Sequence, residues 1–216
     1  MPTIPLVLNV LAGSMLIFGL LILGRMRLFS MVWLFAAQSF LLAVYASIVA
    51  VSSGEFHLLL TAFLTFLVKT VYIPYLLHKT SSTSKTSNRL QAYLRPASQL
   101  FVGVLMTGFS FYATRSLVPS SASSYLIAAV SVAMVLLGVL MLVIRTGMYD
   151  QIIGFLMMEN GIFTFGLSLT GGMPLLVELG IFFDILVGSV LMAGLSYRVQ
   201  THHGSVVTDR LSELVD

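Results

Sequence analysis

The hydrophobic and polar positions of the chain are segregated into long apolar runs separated by short polar stretches. Each run is close to the ~20 residues that a helix needs to cross a bilayer. Such runs are typical of transmembrane helices, because a helix satisfies its own backbone hydrogen bonds within lipid. Seven spans are predicted, at residues 4–24, 29–51, 56–78, 97–117, 123–145, 151–170 and 174–197.

The predicted fold class is therefore an all-α polytopic membrane protein with about seven transmembrane helices. Spans one to three occupy residues 1–78, and a Ser/Thr-rich cytoplasmic loop follows at residues 79–96. The fourth span lies within 97–122 and the last three within 123–199. Residues 200–216 form a polar tail, which is predicted to be cytoplasmic.

The end of the long loop has two interpretations. The stretch RLQAYLRP places Leu90, Tyr93 and Leu94 at helical spacing, which is typical of a short helix at the membrane interface. An ordinary loop leading into the fourth span is the alternative.

The distribution of basic residues predicts the orientation. The chain has 11 lysines and arginines, and Lys69 lies inside the third span, which leaves ten. With seven spans, nine of the ten fall on one side of the membrane and Arg115 alone falls on the other. The positive-inside rule then places the N-terminus outside and the C-terminus in the cytoplasm. An even number of spans would remove this bias.

Composition narrows the functional class. The chain is 58% hydrophobic and only 9% charged, whereas soluble domains are about 25% charged. There is no cysteine, which excludes disulfides, thiolate metal sites and iron–sulfur ligation within this chain. The basic residues are scattered, so they indicate topology and not a nucleic-acid surface. The sequence predicts no catalytic residue and no metal site.

Four ionisable residues lie within the predicted spans, namely Lys69, Glu159, Glu178 and Asp184. A charge at the bilayer centre costs about 3 kcal/mol or more, so these groups are candidates for function. One lysine cannot neutralise three carboxylates, and at least one acid is therefore expected to be protonated or hydrated at neutral pH. We interpret the four as proton-relay groups. A static ion pair that holds two helices together is the alternative, and one pair can serve both roles.

Glu178 has a second interpretation of its own. It lies four residues after Pro174, near the start of the seventh span. A carboxylate in the first turn of a helix is favoured by the helix dipole. Glu178 is therefore either a group at which ions enter or leave the relay, or a first-turn carboxylate near the outer interface.

Four further residues are predicted to shape helix packing around these charges. Gly180 and Gly188 flank Asp184 at steps of four, on one helix face, and let another backbone approach the acid. Asn160 belongs to a stripe of small and polar residues in the sixth span, a pattern typical of helix contacts. Pro74 lies five residues after Lys69, lacks an N–H and should kink the third span.

Three stretches, GFLMMENG, PLLVELGIFFD and THHG, resemble the component E subunit of hydrogenase-4 and formate hydrogenlyase-type complexes. The resemblance extends over essentially the whole chain and includes the pattern of Lys69 and Pro74. The last three spans are also similar to the K subunit of respiratory complex I and the C subunit of multisubunit Na⁺/H⁺ antiporters. Asp184 followed by Gly188 resembles the second intramembrane glutamate of those subunits, whereas Glu159 lies three residues after the position of the first.

The resemblance implies a non-catalytic membrane subunit of a complex I-related assembly that couples redox chemistry to translocation of protons or sodium ions. The implied location is the prokaryotic cell (inner) membrane, and the implied neighbours are antiporter-like membrane subunits. Nickel–iron and iron–sulfur centres are expected in peripheral partner subunits, with no cofactor in this chain. The alternatives are a subunit of a multisubunit cation/proton antiporter without a redox partner, and a structural membrane scaffold.

Overall fold

The computed structural model describes residues 3–83, 92–117 and 122–170, which are almost entirely helical. In chain order the elements are α1 (Thr3–Leu23), α2 (Leu28–Ser53), α3 (Phe56–Thr65), a π-helical segment (Phe66–Tyr72), α4 (Ile73–Thr83), α5 (Pro96–Leu117), α6 (Ala122–Ile144) and α7 (Met148–Thr170). No β-strand occurs among these residues, which confirms the all-α prediction.

Four helical stretches in the described part are long and apolar enough to cross a membrane. They are Ile4–Leu23, Leu28–Ser53, Leu58–His78 and Tyr125–Ile144. The helices α5 and α7 occupy the positions of the predicted fourth and sixth spans. The predicted seventh span lies outside the described residues, so the count of seven and the orientation stay predictions.

Short connections make neighbouring helices antiparallel. Four residues join α1 to α2, two join α2 to α3, and three join α6 to α7. The turn after α2 ends on Gly54, whose φ of 75° is left-handed and whose N–H donates to the carbonyl of Ala50. Glycine takes this conformation without the steric cost that a Cβ would add.

The most extensive helix contact is that between α6 and α7, and glycines bring the two backbones together. A Cβ on Gly138 would lie 2.6 Å from both the carbonyl oxygen of Gly154 and the amide nitrogen of Met158. A Cβ on Gly161 would lie 2.8 Å from the carbonyl oxygen of Ser131. Glycines on both helices therefore allow α6 and α7 to pack closely.

Buried apolar side chains form two clusters along the bundle. One includes Phe35 and Met157, and the other includes Leu42 and Phe163. Along both α2 and α7, the residues between the two clusters include buried polar side chains. Large apolar side chains such as Trp33, which is 64% exposed, cover the outside, as expected of a surface in contact with lipid.

Residues 92–95, which precede α5, are not helical. Ala92 forms an isolated bridge with Arg145, and the N–H of Tyr93 donates to the carbonyl of Ile144 at 3.0 Å. Arg95 precedes Pro96, which disfavours helical backbone angles at that position. Residues 92–95 therefore form the loop and not the interfacial helix, because their backbone pairs with the end of α6.

Candidate functional site

Lys69 and Glu159 form an ion pair inside the bundle. The Nζ atom of Lys69 lies 2.9 Å from Oε1 of Glu159, and the side chains are 4% and 5% exposed. The same Nζ donates to Oδ1 of Asn160 at 3.2 Å. The structure therefore brings together two residues predicted as relay groups and one predicted to pack helices.

Asn160 extends this pair to a third element. Its Nδ2 donates to Oγ of Ser39 at 3.2 Å, and both residues are fully buried. The amide accepts from Lys69 and donates to Ser39, so the two bonds together fix its orientation. Asn160 joins the π-helical segment, α7 and α2, which goes beyond the packing role predicted for it. We call Ser39, Lys69, Glu159 and Asn160 the central cluster.

The π-helical segment surrounds Lys69 and ends just before Pro74. In an α-helix the proline ring would crowd the carbonyl of Thr70, and its missing N–H would leave that carbonyl without a partner. The structure instead widens the preceding turns, and the N–H of Ile73 donates to the carbonyl of Val68, five residues back. Such π-helical turns are rare and often occur at functional sites. Sequence reasoning predicted a kink here and did not identify the π-helix.

Gln38 adds a polar contact beside the central cluster. Its Nε2 donates to the carbonyl of Met15 at 2.9 Å and thereby fixes α1 against α2. Its Oε1 is buried and accepts no hydrogen bond. Ser39 is the next residue, so α2 contributes two consecutive buried polar side chains to the middle of the bundle.

A second buried cluster lies where α6 ends. Arg145 is only 1% exposed, and its Nη2 donates to the carbonyls of Leu23 and Arg25 at 2.9 and 2.7 Å. The same atom donates to Oε1 of Gln99 on α5 at 2.9 Å. Sequence reasoning used Arg145 to mark the end of the fifth span, which agrees with the end of α6 at Ile144, and did not identify its buried contacts. Its guanidinium ties the α1–α2 turn and α5 to the end of α6.

Asp150 lies in the first turn of α7, just before the predicted sixth span. It is fully buried, and neither carboxyl oxygen accepts a hydrogen bond. Burial raises the pKa of Asp150 to about 6, although the nearby charge of Arg145 acts in the opposite direction. Sequence reasoning placed Asp150 just before the sixth span and gave it no functional role. The available signal was an arginine and an aspartate five residues apart on either side of a glycine.

The remaining predicted site residues, Glu178, Gly180, Asp184 and Gly188, lie outside the described residues, and their roles stay predictions. Within the described ranges, no group of three or more histidine or acidic side chains is placed to hold a metal ion. Among the described residues, the central cluster is the candidate functional site.

Comparison with known proteins shows distant relatives over nearly the whole chain. An uncharacterized protein of Mycobacterium tuberculosis is 28% identical over 207 residues, which cover 95% of this chain and 94% of that protein. Hydrogenase-4 component E of Escherichia coli K12 is 24% identical over 211 residues, 97% of each chain, and the component E of Shigella flexneri matches equally. No family model matches. No solved structure matches. The predicted similarity to hydrogenase-4 component E is thus supported at a distance, whereas that to the complex I and antiporter subunits stays a prediction.

Proposed function

We propose that this chain is a membrane subunit of a hydrogenase-type, complex I-related assembly, and that its central cluster takes part in proton translocation. The observation that carries the proposal is the ion pair of Lys69 and Glu159 between the two apolar clusters of the bundle. Ionisable groups at membrane depth are costly and mark ion pathways. The similarity to hydrogenase-4 component E over 97% of the chain supports the kind of assembly.

The contact between Nζ of Lys69 and Oε1 of Glu159 provides a short path for a proton. Transfer from the ammonium to the carboxylate converts two buried charges into a neutral amine and a neutral acid. Burial disfavours the charged forms while the mutual attraction favours them, so the two states can lie close in free energy. The amide oxygen of Asn160 holds Nζ in either state, because an amine also donates hydrogen bonds.

The rest of the relay is proposed from the sequence. Asp184, between Gly180 and Gly188, is the second buried acid. Glu178 is either the group at which ions enter or leave, or a first-turn carboxylate. The translocated ion is a proton in our preferred version and a sodium ion in the alternative.

The partners are proposed on the same basis. Antiporter-like membrane subunits would lie beside this chain in the prokaryotic inner membrane. Nickel–iron and iron–sulfur centres in peripheral subunits, as in formate hydrogenlyase-type complexes, would carry out the electron chemistry, and this chain would be non-catalytic.

The main competing function is that of a structural scaffold. It is favoured by the same contacts, because the bonds from Lys69 to Glu159 and Asn160, and from Asn160 to Ser39, tie three elements together. A scaffold needs these bonds to be static, whereas a relay needs Glu159 to change its protonation state. Substitutions that keep shape but remove titration distinguish the two.

The test is Glu159→Gln in the native complex. Ser131→Ala is the matched control, since Ser131 is fully buried and its hydroxyl donates to the carbonyl of Ile127 on its own helix at 2.7 Å. Assembly is followed by co-purification and identification of the subunits, and proton movement by uptake into inverted membrane vesicles during turnover. We expect normal assembly and at least about a tenfold loss of proton uptake for Glu159→Gln, with the control unchanged.

Normal assembly with undiminished proton uptake in Glu159→Gln would show that the acid is structural. Co-purification with antiporter subunits alone, without hydrogenase subunits, would instead indicate a multisubunit cation/proton antiporter.

A further inference from the structure

We propose that Asp150 is a second proton-binding site, separate from the central cluster and located where α6 and α7 meet. Asp150 is not part of the proposed relay. Its protonation does not depend on whether the chain belongs to a hydrogenase-type assembly. The ligand is the proton itself, held by a carboxyl group that is fully buried.

The surroundings of Asp150 disfavour its ionised form. A carboxylate offers about four acceptor positions, yet both oxygens of this one are buried and accept no hydrogen bond. A Cβ on Gly147 would lie 3.1 Å from Oδ2, so the glycine leaves room for the carboxyl to fold against its own turn. An ionised carboxylate without hydrogen bonds in such a place is far more costly than a neutral acid.

The positive end of the α7 helix dipole favours the ionised form, and Arg145 supplies a second opposing influence through space. Its Nη2 already donates to two backbone carbonyls and to Gln99, and its Nη1 lies 3.3 Å from the sulfur of Met26. Its Nε is buried and has no hydrogen-bond partner in the described part of the chain, so Arg145 acts on the carboxyl as a nearby charge and not through a hydrogen bond.

Other charged or titratable groups occur at this end of the bundle. Those in the described part are Arg25 and Arg27 between α1 and α2, His78 and Lys79 on α4, Tyr93 and Arg95 before α5, and Tyr149 at the start of α7. Of the charges at this end, the one shown to act on the carboxyl is that of Arg145. Asp150 and Glu159 are nine residues apart on one helix, about 14 Å along its axis, so they can titrate separately.

The test is a pH titration of the full chain in detergent or nanodiscs, with ¹³C at the side-chain carboxyl of aspartate. The signal of Asp150 is the one lost in Asp150→Asn. Tyr93→Asp provides a labelled reference carboxyl, since Tyr93 is 79% exposed and lies at the same end of the bundle. We expect the midpoint of Asp150 to lie more than about one pH unit above that of the reference, which should titrate near 4.

A signal that titrates together with the reference, or that stays ionised down to pH values near the reference midpoint, would overturn the proposal. If Asp150→Asn fails to fold, the same titration is made with Asp184, Asp209 and Asp216 replaced by Asn. Asp150 is then the only labelled aspartate, and its midpoint is compared with that of the reference carboxyl, measured separately in the Tyr93→Asp chain.

Discussion

Lys69 and Asp150 keep an ionisable side chain away from water in two different ways. Lys69 has a counter-charge at 2.9 Å and an amide oxygen at 3.2 Å. Asp150 has no hydrogen bond and only a cation that is engaged elsewhere. The first arrangement supports the charged form, and the second favours the neutral form. Removing the ionisable group should therefore change the free energy of unfolding differently at the two positions.

The ion pair predicts a recovery of stability in a double variant. Lys69→Met leaves the carboxyl of Glu159 buried without its cation and should lower the free energy of unfolding by about 3 kcal/mol. Adding Glu159→Leu removes the stranded carboxyl, so most of the loss should be recovered. Thermal unfolding in detergent, followed for both variants and the wild type, measures this. A double variant no more stable than Lys69→Met would contradict the uncompensated charge as the cause.

Asp150 predicts a stability that falls as pH rises. Its pKa is about 6 in the folded chain and near 3.9 in an unfolded one. The folded state therefore holds a proton that the unfolded state releases, and stability declines from about pH 4 to about pH 6 and stays low above. Asp150→Asn mimics the neutral acid and removes this decline.

The measurement for Asp150→Asn is the melting temperature of variant and wild type at pH 8 and pH 5. We expect the variant to gain up to about 3 kcal/mol relative to wild type at pH 8 and roughly half of that at pH 5. A difference that is the same at both pH values would show that the carboxyl does not change its protonation in this range.

At the scale of elements, the contact of α6 with α7 depends on the absence of side chains at three glycines. Gly138 is the most constrained, because a Cβ there meets backbone atoms and not the flexible end of a side chain. Backbone atoms of two helices can yield only if the helices move apart. The face of α7 that carries Glu159 and Asn160 is positioned by this contact.

Gly138→Ala should therefore destabilise the chain by about 1–3 kcal/mol, the usual cost of overpacking. Gly108→Ala is the matched control, since a Cβ at Gly108 on α5 would meet nothing within 4 Å. Alanine also favours the helix over glycine, so the control should be neutral or slightly stabilising. Equal melting temperatures for the two variants would show that the helices are not in such close contact.

The sequence predicts the helices well and the contacts between them poorly. Length and apolarity alone fix where a membrane helix runs, so the described helices fall on the predicted spans. The partner of Lys69 depends on how each helix is rotated about its axis, and the sequence does not say which of the three carboxylates it is. The π-helical segment escaped prediction because a proline predicts a disturbed helix without specifying how the neighbouring turns respond.

Arg145 shows the same limit at a helix end. A basic residue just after an apolar run can lie among lipid headgroups or inside the bundle, and its sequence position does not distinguish the two. The groups that accept hydrogen bonds from Arg145 belong to α1, the α1–α2 turn and α5. Each lies more than 40 residues from Arg145 in the sequence.

For the whole molecule, the contacts of Arg145 define one end of the bundle. They bring together the α1–α2 turn, the start of α5 and the end of α6, and the ring contact of Phe29 with His78 adds α4. The predicted cytoplasmic side comprises these same ends. Arg145 was counted among its nine basic residues, and leaving it out as a buried group reduces the bias to eight against one. The predicted orientation therefore does not depend on it.

Orientation predicts opposite accessibility for the connections on either side of α5. The chain has no cysteine, so single cysteines at Ser84 and Ser121 can be labelled without background. Ser84 follows α4 and should be cytoplasmic, whereas Ser121 precedes α6 and should be outside. A membrane-impermeant maleimide added to intact cells should label Ser121→Cys and leave Ser84→Cys unlabelled, and inverted vesicles should give the reverse.

Labelling of both positions from the same side would show that α5 does not cross the membrane, and labelling with the sides exchanged would invert the predicted orientation. An inverted chain would place the Arg145 end, with Asp150, outside the cell, so this experiment also determines which compartment the second proton site faces.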